Sequence, residues 1–217
     1  FKLDNLMFVK SSGCLLSDVN LNTNYVGVDF EKIREDIKTI KSESKREREV
    51  ECYNIISNSI LFFKKNKPSI ETSLHTLTKK YTVHIHPIQF NLISSSKNCD
   101  DIIKWIFKDE EYCIIDYFTP GIDVSIALLN KYKNENIIFL KNHGVVFSSD
   151  NLDDLYDIIE NSMKKLEIYS ERDFTNYKYT NHITKCMNKV SGSYHISYFS
   201  EDTLINQFIN KNIDGKL

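Results

Sequence analysis

Apolar residues recur along the chain with two different periods, and the period changes repeatedly. Short runs at Leu6–Lys10, Tyr25–Val28, Tyr81–His86, Tyr112–Ile115, Ile137–Leu140 and Val145–Phe147 read as β-strands. Helical spacing appears between them. Phe30, Ile33, Ile37 and Ile40 place one apolar face on a helix over Phe30–Ile40, and Cys52–Phe63 is apolar on one broad face. Pro68 is a favourable first residue for a helix over Ser69–Lys80. The clearest helix is Leu152–Tyr169, where Leu152, Leu155, Tyr156, Ile159, Met163 and Leu166 share one face and Ser149 or Asp150 can cap the start. A further helix is expected over Tyr198–Ile213. Between the last two strands, Lys141-Asn142-His143-Gly144 carries the polar-then-glycine chemistry of a tight hairpin. With no internal repeat and no linker, the pattern predicts one α/β or α+β layered domain over residues 1–217.

Composition narrows the class. The chain has 217 residues, enough for a sizeable core, with 41% hydrophobic and 27% charged side chains. A net charge of −2 and no long basic block argue against nucleic acid as a partner. The richest charged run, Lys41–Glu51, alternates in sign and reads as a solvated helix or loop face. No apolar run approaches the roughly 18 residues of a membrane helix, and no secretory signal is visible. Five scattered cysteines without C-x-x-C spacing fit a reducing, cytoplasmic setting.

The histidines carry the candidate chemistry. His84 and His86 are two apart on a predicted strand, so both imidazoles point to one face and can reach one ion, while Ile85 points to the other. His143 stands at the hairpin turn, where Gly144 lets the chain bend sharply. Three imidazoles with one open position make a catalytic type of zinc site. Each piece is weak alone: H-x-H and Asn-His-Gly also occur in proteins that bind nothing. Upstream, Pro68 and Ser69 open a predicted helix whose first amides are free to meet an anion. Glu71 lies in the same turn, where a carboxylate also simply complements the helix dipole. His75, one turn later, faces the same way and reads as a core or supporting histidine. His182 and His195 have no supporting pattern.

Five pieces in order resemble the class II aldolase/adducin family of zinc-dependent sugar-phosphate aldolases and their relatives. They are Val9-Lys10-Ser11-Ser12-Gly13, Pro68–His75, Val83–Pro87, Tyr117–Gly121 and Leu140–Phe147 followed by the amphipathic helix, covering about residues 7 to 170. The resemblance implies a three-layer α/β/α fold with a mostly antiparallel central sheet. It implies zinc on His84, His86 and His143, Glu71 as the acid/base, and phosphate contacts from Ser12, Gly13 and Ser69. His75 and Asn142 would support the metal ligands. It also implies a small phosphorylated sugar as substrate, retro-aldol cleavage as the reaction, and often a tetramer with sites at subunit interfaces. Family members begin with a further helix and a Gly-Asn-x-Ser loop that completes the phosphate cradle. This chain starts near where that loop would end, so the cradle is expected to be incomplete. Tyr112 and Tyr117 do not align with the tyrosine acid that family aldolases borrow from a neighbouring subunit. A zinc-dependent dehydratase, epimerase or decarboxylase, or a non-catalytic adducin-like module, stands as the alternative. Substrate choice is expected to rest on a loop over Phe90–Asp101.

Overall fold

The computed structural model describes residues 1–63, 65–171 and 177–192. In chain order the elements are β1 (Lys2–Leu3), β2 (Leu6–Lys10), β3 (Tyr25–Asp29), α1 (Phe30–Asp36), α2 (Lys45–Asn58), β4 (Ile60–Phe62), α3 (Thr72–Leu77), β5 (Tyr81–Ile85), α4 (Ile88–Ser94), α5 (Cys99–Ile106), β6 (Tyr112–Ile115), α6 (Ile122–Lys131), β7 (Ile137–Leu140), β8 (Gly144–Ser149), α7 (Leu152–Ser170) and α8 (Tyr177–Ser191). The chain divides into two compact units, Phe1–Tyr169 and Ser170–Leu217. All of the site chemistry lies in the first. In the second, α8 carries His182, which is exposed, with its Nε2 3.6 Å from Cys186 Sγ. His195 and the helix expected over Tyr198–Ile213 lie outside the described residues.

The first unit is mixed α/β, as the resemblance implies, with its strands in two sheets. One runs β1-β2-β3-β4, antiparallel throughout; the other runs β5-β8-β7-β6. In the second sheet β5 and β7 pair antiparallel with β8, whereas β6 and β7 are parallel and joined by the α6 crossover. Period-2 alternation sorts the second sheet's two faces. Ile137, Phe139, Val145 and Phe147 pack with Phe90, Ile93, Ile103, Phe107, Leu155 and Leu166 from α4, α5, α7 and the residue after α5. Ile138, Leu140 and Val146 turn the other way, onto Leu74 of α3 and Val124 and Leu128 of α6. Helices thus cover both faces of this sheet. The first sheet buries Met7, Val9, Val26 and Val28 against α1, α2 and Ile122 of α6.

Several helices differ from their sequence expectation. The predicted helix over Cys52–Phe63 is α2 followed by a strand: Ser44 caps the charged run, so the helix starts at Lys45, and Ile60–Phe62 pairs with β3. The helix over Phe30–Ile40 holds α-geometry only to Asp36 and finishes in a 3-10 turn over Ile37–Thr39. The expected loop over Phe90–Asp101 is the end of α4 and the start of α5, because Phe90, Ile93 and Ile103 have apolar surface to bury. The helix over Ser69–Lys80 shrinks to six residues, Thr72–Leu77. Its C-terminal carbonyls are held by cations: Lys2 Nζ donates to Thr76 and Thr78, and Arg34 Nε donates to the Thr76 carbonyl at 3.0 Å. Among the described residues no helix is long and apolar enough to cross a membrane.

Candidate metal centre

The site forms where β5 ends, the β7–β8 turn closes and α3 begins. His84 pairs with Val146, and Val146 packs on the α3 side of the sheet. The strand alternation therefore sends Val83 and Ile85 to the apolar α4/α5/α7 side and His84 toward α3. His86 has the same parity, one residue beyond the strand. His143 is brought to them by the predicted hairpin, closed by the Leu140↔Gly144 pair and by the His143 amide donating to the Leu140 carbonyl at 3.2 Å. Asn142, expected as a supporting residue, takes a φ of 52° at the turn, a conformation asparagine tolerates well. Lys141 anchors the turn from its other end, with Nζ 2.7 Å from Asp100 and 2.8 Å from Asp116 and its amide on the Ile115 carbonyl at 3.0 Å.

Gly144 is required by close approach rather than by backbone angle. A Cβ there would run into His86 Cδ2, come within 2.6 Å of the Ile85 carbonyl oxygen and within 3.3 Å of His84 Nε2. The two strands meet across a bare Cα, and the imidazoles fill the space a side chain would take.

The three rings form a near-equilateral triangle: centroids lie 4.9 Å apart for His84–His86, 5.0 Å for His84–His143 and 4.9 Å for His86–His143. Tetrahedral coordination with metal–nitrogen bonds of about 2.1 Å puts imidazole centroids about 5 Å apart. One ring nitrogen from each histidine lies within 4.8 Å of the others. His84 Nε2 and His143 Nδ1 are buried with no hydrogen-bond partner. Buried imidazole nitrogens are rarely left bare, so the donor set fits a metal ion. Among the described residues no thiolate joins the three imidazoles, which leaves a coordination position open.

Glu71 caps nothing. It occupies the position before α3, yet its side chain makes no cap hydrogen bond. Its Oε2 lies 2.9 Å from His84 Nδ1 and its Oε1 2.9 Å from His143 Nε2. Burial resists ionisation of this carboxyl, but the hydrogen bonds from His143 and His84 prevail and hold it well below the usual carboxylate range. The reading of Glu71 as a dipole-complementing carboxylate is thus not what the geometry shows. His75 sits behind the pair, its ring 5.9 Å from that of His84 and its amide on the Glu71 carbonyl at 3.2 Å. Burial pushes His75 down to about 3, which keeps it neutral. Burial, and then the neighbouring imidazoles His84 and His143, also lower His86.

The expected phosphate residues are partly gathered. Ser12 and Ser69 line one cavity of about 850 Å³, whereas Gly13 is not among its lining residues. The Ser12 amide is already committed to the Lys67 carbonyl at 2.8 Å. Ser69 precedes α3 rather than lying in its first turn, a correction to the sequence expectation: its carbonyl accepts from the Thr72 amide at 3.1 Å and its Oγ from the Glu71 amide at 3.3 Å. Sequence reasoning missed the Lys141 anchor, whose partners Asp100 and Asp116 stand in distant segments with no local pattern to link them.

Residues 4–170 match the family described as Class II Aldolase and Adducin N-terminal domain. Among solved structures, the N-terminal class II aldolase domain of a conserved protein from Thermoplasma acidophilum is similar, at 22% identity and a TM-score of 0.62, over 74% of this chain and 72% of that one. An aldolase II superfamily protein from Pseudomonas syringae aligns at 12% identity and a TM-score of 0.52, over 95% and 75%. A sugar-phosphate aldolase from Thermotoga maritima aligns at 19% identity and a TM-score of 0.43, over 47% of this chain and 53% of its own. No curated protein sequence matches the chain significantly.

Proposed function

The chain belongs to the class II aldolase and adducin family, and from that premise we propose that it is a zinc-dependent lyase that cleaves a small phosphorylated ketose by a retro-aldol reaction. The observation that carries this reading is the triangle of His84, His86 and His143 with the Glu71 carboxylate 2.9 Å from two of the rings. A non-catalytic module has no need of three converging imidazoles, buried bare nitrogens and an ionised carboxylate in one place.

In this reading His84, His86 and His143 hold the zinc, which when bound supplies Lewis-acid polarisation of the ketose oxygens. Glu71 is the proton carrier. Its two oxygens face the cluster, and it can take a hydroxyl proton from the substrate and return one to carbon once the hydrogen bonds from His84 and His143, which depress its basicity, are released. His75, kept neutral by burial, places no competing positive charge beside it. Ser12 and Ser69, which share one cavity, hold the phosphate, with Gly13 outside its lining, and Ser69 links that end to the acid/base through its hydrogen bond from the Glu71 amide. Family kinship further suggests a homo-oligomer, a tetramer, acting in the cytoplasm.

Elemental analysis of protein purified without chelator is expected to find one zinc per chain, and none in the His84→Ala/His86→Ala double variant. Equal metal content in both proteins would remove the metal centre. A coupled assay for dihydroxyacetone phosphate, run on zinc-loaded protein across ketose 1-phosphates, is expected to detect cleavage of at least one. Cleavage of none would hand the site to another zinc-dependent reaction of the family.

A further inference from the structure

Glu71 is aimed by a helix too short to hold itself. α3 has six residues and no side-chain cap at its start, and helices of this length are not stable alone. Its direction is therefore set by what grips it. At its C-terminal end the Thr76 carbonyl accepts from Lys2 Nζ at 3.1 Å and from Arg34 Nε and Nη2 at 3.0 and 2.6 Å. The Thr78 carbonyl accepts from Lys2 Nζ as well. Lys2 is the one lysine buried among the described residues. Both cations also face one ring, that of Phe30, at 5.0 and 5.1 Å from its centroid. Positive charge is favoured at a helix C-terminus. We propose that Lys2 and Arg34 are positioning residues: by pinning the far end of α3 they keep the Glu71 carboxylate on His84 and His143. This rests on the reading of Glu71 as the working carboxylate of the site, and on no particular substrate.

The pin and the carboxylate are two ends of one lever. Lys2 is itself fixed on both sides, pairing with Met7 of β2 and donating its amide to the Lys80 carbonyl at 2.8 Å. From the pinned residue the link to Glu71 runs inside the helix. Thr76 Oγ1 donates to the Ser73 carbonyl at 2.7 Å, and the His75 amide donates to the Glu71 carbonyl at 3.2 Å. The middle of the helix is the fulcrum: Leu74 is buried among Val146 of the second sheet and Val124 of α6, and Ser73 Oγ lies 2.8 Å from Ser125 Oγ. At a rise of about 1.5 Å per residue, Glu71 and Thr76 lie about 8 Å apart along the axis, so freeing one end tilts the other. Glu71 reaches His84 Nδ1 and His143 Nε2 at 2.9 Å each. A shift of roughly 0.5 Å carries such contacts beyond good hydrogen-bonding distance. A small tilt is thus enough to release Glu71 while the sheet beneath stays in place.

The test reads the two imidazole N–H protons directed at Glu71, by NMR of the full chain as purified, with E71Q identifying their signals. In K2M and in R34M, each of which leaves the other cation in place, exchange of these protons with water is expected to accelerate about tenfold or more, the loss that follows when a charge-assisted hydrogen bond weakens. K2R keeps a charged donor and is expected to keep the exchange slow. Two controls are expected to stay slow as well: K38M, whose ammonium is paired with Glu35, and Ile103→Val, which thins the core on the opposite face of the second sheet and lowers stability without touching α3. Slow exchange in both K2M and R34M overturns the proposal. So does equal acceleration in Ile103→Val, which would mark a general loosening, fast exchange in K2R, or no such protected protons in the natural chain. Should K2M fail to fold, R34M carries the test alone. The two readings fail separately, because no substrate enters the measurement: exchange governed by Lys2 and Arg34 in a protein that cleaves no ketose 1-phosphate keeps this proposal and discards the aldolase, and an active enzyme whose exchange ignores both cations does the reverse.

Discussion

On one face of the second sheet, Phe139, Val145 and Phe147 are buried among the apolar side chains of α4, α5 and α7. On the other, the same strands present Val146 and Ile138 to α3 and α6, and beside them His84 of β5, His86, His143 of the turn and Glu71 before α3 come together. Strand β5 serves both faces at once, with Val83 and Ile85 in the core and His84 in the site. The difference shows how a small domain carries reactive groups without losing its fold. Both faces bury apolar side chains, but only the second also carries the charged and imidazole groups. The polar groups gather where sheet, turn and helix end together.

Three substitutions test that division, in decreasing order of effect on stability. Phe139→Ala empties the centre of the apolar face, where the side chain is fully buried. It should cost about 3–5 kcal/mol, read by denaturant unfolding, and any loss of zinc should follow unfolding rather than precede it. Gly144→Ala forces a methyl between the imidazoles and the Ile85 carbonyl. About 1–3 kcal/mol is expected from such overpacking, together with weakened zinc affinity in the fraction that remains folded. A tolerated alanine with full zinc content would mean that the strands can part there. Glu71→Gln retains the shape of the side chain but offers one acceptor oxygen where the carboxylate offers two. Stability should fall by about 1–2 kcal/mol, the order of one weakened charge-assisted hydrogen bond, while turnover is lost. An active E71Q enzyme would return Glu71 to a structural part, and a large loss of stability would erase the distinction between the two faces.

Much of this was legible in the sequence, and the reason is locality. The strand of His84, the turn of His143 and the amphipathic α7 are each specified by residues within a few positions of one another, and each appears where the pattern puts it. The errors fall where distant partners decide. Ile60–Phe62 reads as a continuation of an apolar helix until β3 is present to pair with it. Phe90 and Ile93 read as loop residues until Phe139 and Phe147 supply a surface. Glu71 is visible as an acidic residue near a helix start, but its partners His84 and His143 come from a strand and a turn far along the chain, and no spacing rule connects them.

The Lys141–His143 turn is three residues long and lies between strands that pair on both sides. Surface turns ordinarily accept inserted or deleted residues. Here β8 is held in register with β7 through Leu140↔Gly144 and with β5 through His84↔Val146. One residue gained or lost that the loop failed to absorb would slide β8 by one position and exchange its faces, sending Phe147 toward the histidines and Val146 into the aromatic core. Relatives that keep this site can therefore vary in the identity of residues 141 and 142, but scarcely in their number. Length at this turn is therefore part of what places the His143 ring, and matters as much as the histidine itself.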